Sequence, residues 1–472
     1  MLRNFVARKK IKILSGTLLK RFFSNHKQDF DKWRKIRAMN EASPPSRSNP
    51  VIKKLDTPEF QSIFTPELNK LSEIFKKYNY EMRVAGGAVR DILMGLVPKD
   101  LDFATTATPE EMKAMFTKEE IRMINDRGEK HGTITARIND KENFEVTTLR
   151  IDVATDGRHA EVLFTKDWKL DANRRDLTIN SMFLDLDGNV YDYFFGYDDL
   201  QKKRVVFVGD AGTRIREDFL RIFRYFRFYG RIADFPDCHE DGTIEAIKKN
   251  VDGLERISGE RIWTEWSKIL EGRFGGELTV KMLDCGVAPY IGLPEKLNVE
   301  NFVTTYVKAR ANAVELRPIT LITSLLKNEV EVLELNARLK LSVFNRELAL
   351  FLVNNREEKP SVNLLKPYQH IVLNSKSKLR DTIEFVRELL KVKGDLKLLE
   401  EFDSWEVPKF PISGHDLKGH VPHGKVLGRV LIELKKIWID DDFKTSTEDL
   451  IKRVPDLVDE FKEVGEKIKA KK

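Results

Sequence analysis

The sequence predicts an α+β N-terminal head, a mixed sheet with helices, followed by an all-α remainder. Three observations carry that prediction. Between Arg83 and Phe103, RVAGGAVRDILMGLVPKDLDF, an apolar approach ends at Gly86-Gly87, a short helix runs from Ala88 to Met94, and Gly95 stops it before a second strand from Asp100. Three stretches rich in β-branched and apolar residues follow, Ile121–Ile124, Gly132–Ile138 and Phe144–Ile151, with Asn139 to Asn143 as a hairpin turn between the last two. From Thr213 onward the apolar spacing is helical.

At 472 residues the chain is long for one core. A prior of about 150 residues per domain suggests about three units. Lys plus Arg exceed Asp plus Glu by 82 − 75 = 7, a mild excess that permits a polyanionic partner without establishing one. Cys238 and Cys285 are too few for a disulfide framework or a thiolate metal site, which points to a reducing compartment. No apolar run reaches the length of about 18 residues that a membrane helix needs, so no membrane partner is expected.

Taken in order, residues 1–38 read as a mitochondrial presequence. The first 28 contain eight Lys or Arg and no acid, and Leu14, Leu18 and Phe22 would stripe one side of a helix. A disordered basic tail or a nuclear signal is the other reading. Met39 offers a second start, from which the same protein would serve the nucleus and cytosol. Residues 39–56, with NEASPPSRSNP, read as a linker. The head is expected over 57–205, opening with a helix from Thr57 to Tyr80 whose Leu68, Leu71, Ile74, Phe75 and Tyr78 share one side. Thr108-Pro109-Glu110-Glu111 is a capping box that starts a helix running to about Phe116. A helical neck is expected over 206–275, a helical body over 276–360 and a helical tail over 361–472, which ends with five lysines in its last twelve residues.

The chemistry concentrates in the head. A strand, a glycine turn and a helix start make a phosphate cradle, since glycine lets backbone N–H groups approach an anion at the positive end of a helix. On a strand Asp100 and Asp102 share one face, and two carboxylates with no basic residue between them suit Mg²⁺, a hard cation that completes its shell with water and phosphates. A pair of solvated acids is the plainer reading of D-x-D, and the glycine pair upstream weighs against it. Glu145 faces opposite to Phe144 and Val146, where a neighbouring strand could bring it beside Asp100 and Asp102. The polar segment Asn125 to His131 reads as a mobile loop over a site, or as an idle surface loop. Arg174 and Arg175 could hold phosphates, or could pair with Asp171 and Asp176. His415 and His423 are read as incidental.

These motifs, with HGTITARI, FEVTTLRIDV, RRDLTINSM and EDFLRIFRYFRFYGRI, resemble the nucleotidyltransferases of the polymerase-beta-like superfamily, and within it the CCA-adding tRNA nucleotidyltransferases of the eukaryotic and bacterial class. The match covers roughly residues 80 to 290 and is carried by several motifs in one register. FPISGHDL and PHGKVLGRVL, over 410–417 and 422–431, are similar to the family's C-terminal region. The resemblance implies a polymerase-beta-like palm in the head and addition of C, C and A to tRNA 3′ ends from CTP and ATP. It implies catalytic Asp100, Asp102 and Glu145, with Mg²⁺ on the two aspartates. Gly87 and Arg90 would hold the triphosphate and Arg175 the nucleotide, Arg174 being structural. The segment at 125–131 would act as a lever between adding C and adding A, and the tail would bind tRNA. A poly(A) polymerase of the same superfamily, or a non-catalytic tRNA-binding module, is the alternative. Whether the chain forms a homodimer is left open.

Base choice follows from hydrogen-bond chemistry. Cytosine and adenine each present an exocyclic amine beside a ring-nitrogen acceptor, so one carboxylate and one guanidinium serve both and oppose U and G. Asp218 and Arg221, spaced i to i+3 on the helix expected over Thr213–Tyr229, fit that role, or form an ordinary intrahelical pair. The resemblance adds Arg224 and Arg227 to the nucleotide site. Helical drift of about 60° per three-residue step carries Arg227 almost opposite to Asp218.

Overall fold

The computed structural model describes residues 44–124, 126–155, 160–357, 364–375, 377–417, 419–421 and 425–459. The presequence expected at 1–38, His423 and the terminal lysines lie outside the described residues. The chain divides into two compact units, one comprising residues up to Ser258 with Gly272–Val287, the other Gly259–Glu271 with Ala288 onward. The boundary expected at 275 is therefore placed differently by packing, because the helix Gly259–Leu270 groups with the second unit.

The first unit is built on an eight-stranded mixed sheet. Its strands are β1 (Val51–Lys54), β2 (Met82–Ala85), β3 (Asp102–Thr105), β4 (Arg122–Ile124), β5 (Thr133–Ile138), β6 (Glu142–Thr148), β9 (Phe183–Leu184) and β10 (Asn189–Tyr191), while β7 (Arg150–Thr155) and β8 (Ala160–Phe164) form a separate ribbon. The order is β1-β10-β9-β2-β3-β6-β5-β4, and β3 with β6 is the parallel pair among antiparallel ones. Alternation along β3, β5 and β6 buries Phe103, Ile134, Ala136, Phe144 and Val146 on one face. Against that face lie helices α1 (Pro66–Lys77) and α2 (Gly87–Leu93), with α3 (Pro109–Lys118), and the rings of Phe103 and Phe144 meet edge-on at 5.9 Å. Helix α3 carries the capping box at Thr108 and Glu111 and runs on to Lys118.

Several sequence expectations are corrected. The linker ends before residue 56, because β1 pairs with β10, Arg47 donates its N–H to the Tyr193 carbonyl at 3.0 Å, and its guanidinium lies 3.4 Å from Asp192. The helix expected over Thr57–Tyr80 is two helices, Pro58–Gln61 and α1, since Pro66 cannot donate to a continuing helix and Thr65 caps a fresh start. The hairpin turn is Asn139-Asp140-Lys141, with Asn139 and Asp140 both left-handed at φ 52, and β6 stops at Thr148 rather than reaching Ile151.

In the second unit, helices Val299–Ala311, Pro318–Thr323, Glu329–Leu339 and Val343–Asn355 bear out the leucine-rich periodicity. Farther on, Trp438, Leu434, Val430, Leu417 and Ile412 bury one another, with Phe410 against Trp438 at 5.4 Å. Among the described residues no helix is long and apolar enough to cross a membrane.

Candidate active site on the open face of the sheet

The other face of the sheet is closed at one end and open at the other. Ala85 and Ala104 are covered by Trp168, Ala172, Phe183 and Phe194, whereas Asp102 and Glu145, farther along the same face, remain exposed. The parallel register pairs Asp102 directly with Glu145, and Thr135 lies across from Glu145 on β5. Neighbouring strands run about 4.8 Å apart, so the two carboxylates extend side by side from one face. Asp100 differs from expectation. The strand begins at Asp102, and Asp100 sits in the bend before it, so strand alternation is not what brings the two acids together. They are nonetheless neighbours. The Asp102 carboxyl is accessible yet surrounded by protein, and this desolvation raises its pKa; Arg175 pulls it down and Asp100 pushes it further up. Among the described residues no three His, Cys, Asp or Glu side chains form a ready-made metal cage. Mg²⁺ does not require one, because it takes one or two carboxylates and fills the rest of its octahedron from water and substrate phosphates.

The glycine turn is built from Gly86 more than from Gly87. Gly86 has φ +68 and ψ −122, open only to glycine in practice, and a Cβ there would lie 2.9 Å from Nη1 of Arg175. At Gly87 a Cβ would meet only Arg90 Nη2 at an ordinary 3.6 Å. Arg90, expected to grip the triphosphate, is 2% exposed. Its Nε and Nη2 donate to Asp91 Oδ1 at 3.0 and 2.8 Å, and its Nη1 to Asn180 Oδ1 at 2.6 Å. Direct contact with a ligand is not what this burial offers.

Arg174 and Arg175 close the short helix α4 (Trp168–Asn173), and both turn back onto buried Asp171, at 2.8 and 3.1 Å. Burial opposes charge on Asp171, but the two guanidiniums outweigh it and hold the pKa down. Their exposures, 17% and 18%, do not separate the two arginines. Position does: Arg175 reaches the Gly86 turn, donates to the Asn180 carbonyl at 3.4 Å and acts on Asp102, whereas Arg174 leans toward Asp152 at 3.8 Å.

The helix expected from Thr213 to Tyr229 is broken at Asp218. Helix α5 (Ala211–Glu217) ends there, Asp218 is extended at φ −152 and ψ 107, and α6 (Arg221–Ile232) begins three residues later. The Asp218 carboxylate accepts the Leu220 N–H at 3.1 Å, the local competition that makes aspartate a helix-start residue. Asp218 and Arg221 are thus not an i to i+3 pair on one helix, and the rotation argument for Arg227 lapses. Arg221 donates to the carbonyls of Arg174 and Arg214 at 3.0 and 3.1 Å and pairs with Glu217. Arg224 binds Asp176 at 2.6 Å, Arg227 stacks over Phe228 at 4.1 Å, and Arg231 reaches Asp91 at 2.8 Å. Asn180, Asp91 and Arg231 join this network without a motif of their own that assigns them there; a polar residue inside the apolar run LTINSMFL is the sequence's hint for the first.

The segment near 125–131 is a 3-10 helix from Asp126 to His131, with Glu129 paired to Lys113 and the His131 carbonyl accepting from Arg150. Residue 125 lies outside the described residues.

Asp176 gives a pH prediction. Burial works against its ionisation, but Arg224 foremost, then Arg221 and the Leu177 N–H, bring its pKa from 3.8 to about 2. A depressed carboxylate stabilises the fold above its unfolded pKa and ceases to do so as pH falls from about 4 to about 2. Asp176→Asn should therefore cost about 2 kcal/mol at neutral pH, and chemical denaturation across that window should show the parent losing stability more steeply than the variant.

Comparison with known proteins identifies the family. The family description "Poly A polymerase head domain" matches residues 82–206, and "Probable RNA and SrmB- binding site of polymerase A" matches 240–295. Mouse CCA tRNA nucleotidyltransferase 1, mitochondrial, is 53% identical over 403 residues, covering 84% of this chain and 92% of the mouse protein, and the human counterpart is 52% identical with the same coverage. The chain belongs to the CCA tRNA nucleotidyltransferase family. Membership reaches beyond the animal sequences, since the Leuconostoc citreum CCA-adding enzyme is 30% identical over 83% of this chain and 96% of its own. The family's fold is shared as well. A crystal structure of the Bacillus stearothermophilus CCA-adding enzyme in complex with CTP has a TM-score of 0.66 at 24% identity over 87% of this chain and 100% of that one. The Thermotoga maritima enzyme complexed with tRNA gives 0.59 at 21% identity over 86% and 98%.

Proposed function

We infer that the protein adds C, C and A to the 3′ ends of tRNAs from CTP and ATP, without a nucleic-acid template, releasing pyrophosphate. The observation that carries the reading is the parallel register of Asp102 with Glu145 on an exposed face, with the Gly86 turn and Arg175 beside it. The carboxylates of Asp100 and Asp102 offer the oxygen donors that suit Mg²⁺, with the Arg175 guanidinium beside them. When bound, such an ion lowers the pKa of a hydroxyl and neutralises phosphate charge. Glu145 assists from the neighbouring strand, Arg175 and the backbone of Gly86-Gly87 hold the triphosphate, and Arg90 acts from behind by its charge. Asp218 accepts the exocyclic amine of C or A. Arg221 donates to the ring nitrogen by exchanging one of its carbonyl partners, and Arg224 and Arg227 border the same place.

In this reading the head, 57–205 with β1 added, performs the transfer, the neck at 206–275 selects the base, and the body at 276–360 and tail at 361–472 carry the tRNA. The segment at 125–131 shifts the enzyme from C to A. CTP incorporation separates this reading from a poly(A) polymerase, and any turnover separates it from a binding module. A homodimer is compatible with it, and molar mass in sedimentation equilibrium decides that point.

Localisation follows from the leader and from relatives named mitochondrial. The head's described contacts begin after Met39, with Pro44 packed near Gly209 and Arg47 on Asp192. A protein begun at Met39 should keep full activity in vitro while leaving the mitochondrion for the nucleus and cytosol. Residues 1–38 fused to a reporter should carry it into the matrix. A cytosolic reporter, or an inactive Met39 form, would place the leader boundary elsewhere.

A further inference from the structure

Asn180 grips a buried arginine with an acceptor that is not the best one for stability. Arg90 donates to Asn180 Oδ1 at 2.6 Å, and its other donors go to Asp91. The second oxygen of Asp91 accepts Arg231 Nη2 at 2.8 Å, so one carboxylate serves two guanidiniums. Burial lowers the Arg90 pKa, Asp91 raises it, and Arg231 and Arg227 lower it further, as expected where cations outnumber acids. Because Oδ1 faces Arg90, the amide nitrogen turns away from it. That Nδ2 is buried with no hydrogen-bond partner among the described residues, in a residue only 6% exposed.

An unmet buried N–H is a standing cost to a fold. An aspartate of nearly the same shape would remove it and make the acceptor of Arg90 ionised as well as the donor, an ion pair in place of a bond to a neutral amide. It would also cancel the surplus positive charge beside the glycine turn, where the Asn180 carbonyl already receives Arg175 Nη1 at 3.4 Å.

We propose that Asn180 is a positioning residue that sets the charge of the polyphosphate site: it fixes Arg90 with a neutral acceptor, so the positive surplus of Arg90, Arg231 and Arg175 stays available to the triphosphate of CTP or ATP. The inference rests on the reading that a nucleoside triphosphate lies against Gly86, Gly87 and Arg175. In a partly desolvated site a fixed charge acts over several ångströms, so a buried guanidinium contributes without touching the ligand.

The test compares the parent with Asn180→Asp and Asn180→Ser. Asn180→Asp should be at least as thermally stable as the parent, yet raise KM for CTP and ATP alike on the order of tenfold or more, with a smaller change in kcat. Its KM should depend less on salt, and discrimination against UTP and GTP should not change. Asn180→Ser keeps the charge and loses the bond, so it should be less stable but bind nucleotide better than Asn180→Asp. Stability and affinity then rank the variants in opposite orders. Calorimetric binding of CTP and of inorganic pyrophosphate reads the same effect without catalysis. An inactive parent would count against the functional reading while these affinities still decide the role of Asn180. The proposal is overturned if Asn180→Asp binds both ligands within about twofold of the parent, if it is unfolded or clearly less stable than the parent, or if Asn180→Ser loses as much affinity as Asn180→Asp.

Discussion

Replacing Asp102 with alanine should abolish addition of both C and A while leaving tRNA binding nearly intact, and Asp100→Ala should do the same. Removing one preorganised group that stabilises developing charge costs on the order of 10²–10³ in kcat. A carboxylate that also holds a catalytic cation should cost at least that. The fold should not suffer. The Asp102 pKa is raised, chiefly by desolvation, so the folded state disfavours its charged form and gains nothing from it at neutral pH. Thermal unfolding of Asp102→Ala should match or slightly exceed the parent. Single-turnover addition with each nucleotide, beside filter binding of tRNA, separates lost chemistry from lost binding. Addition at near the parental rate would remove Asp102 from the metal site.

Asp218→Ala should lose base discrimination of about 1–3 kcal/mol, roughly 5- to 150-fold in the ratio of kcat/KM for CTP over UTP and for ATP over GTP. The carboxylate also accepts the Leu220 N–H at the start of α6, so alanine removes a helix-start contact of about 1 kcal/mol as well. Asp218→Ser restores that contact with a side chain too short to serve a base. It should recover stability without recovering discrimination. If Asp218→Ser or Asp218→Ala rejects UTP and GTP as strongly as the parent, base choice does not come from this side chain.

The parts of this site that the sequence made legible are those determined locally. Alternation in FEVTTLRIDV put Glu145 on the face away from Phe144 and Val146, and the parallel register with Asp102 agrees with that orientation. The capping box at Thr108 is a four-residue pattern and was readable as such. What escaped depends on distant partners or on competition within one turn. Arg90 is expected from the resemblance to hold the triphosphate, and its burial escapes the sequence because Asn180, which accepts from it, and Arg231, which shares Asp91 with it, are 90 or more positions away. The break at Asp218 was hidden because Ile215, Phe219, Ile222 and Phe226 keep a helical apolar spacing across it. Nothing in NEASPPSRSNP announces that Arg47 docks on Asp192, since the acid belongs to the far edge of the sheet.

The most direct measurement of the central claim is nucleotide incorporation into a tRNA lacking its last three residues, with each NTP alone and with CTP and ATP together. CTP alone should extend that tRNA by two residues, CTP with ATP by three, and UTP or GTP by essentially none. All of this should require divalent metal and should be lost in Asp102→Ala. A long adenosine tail made from ATP with no incorporation of CTP, or addition that proceeds unchanged in Asp102→Ala, would contradict it.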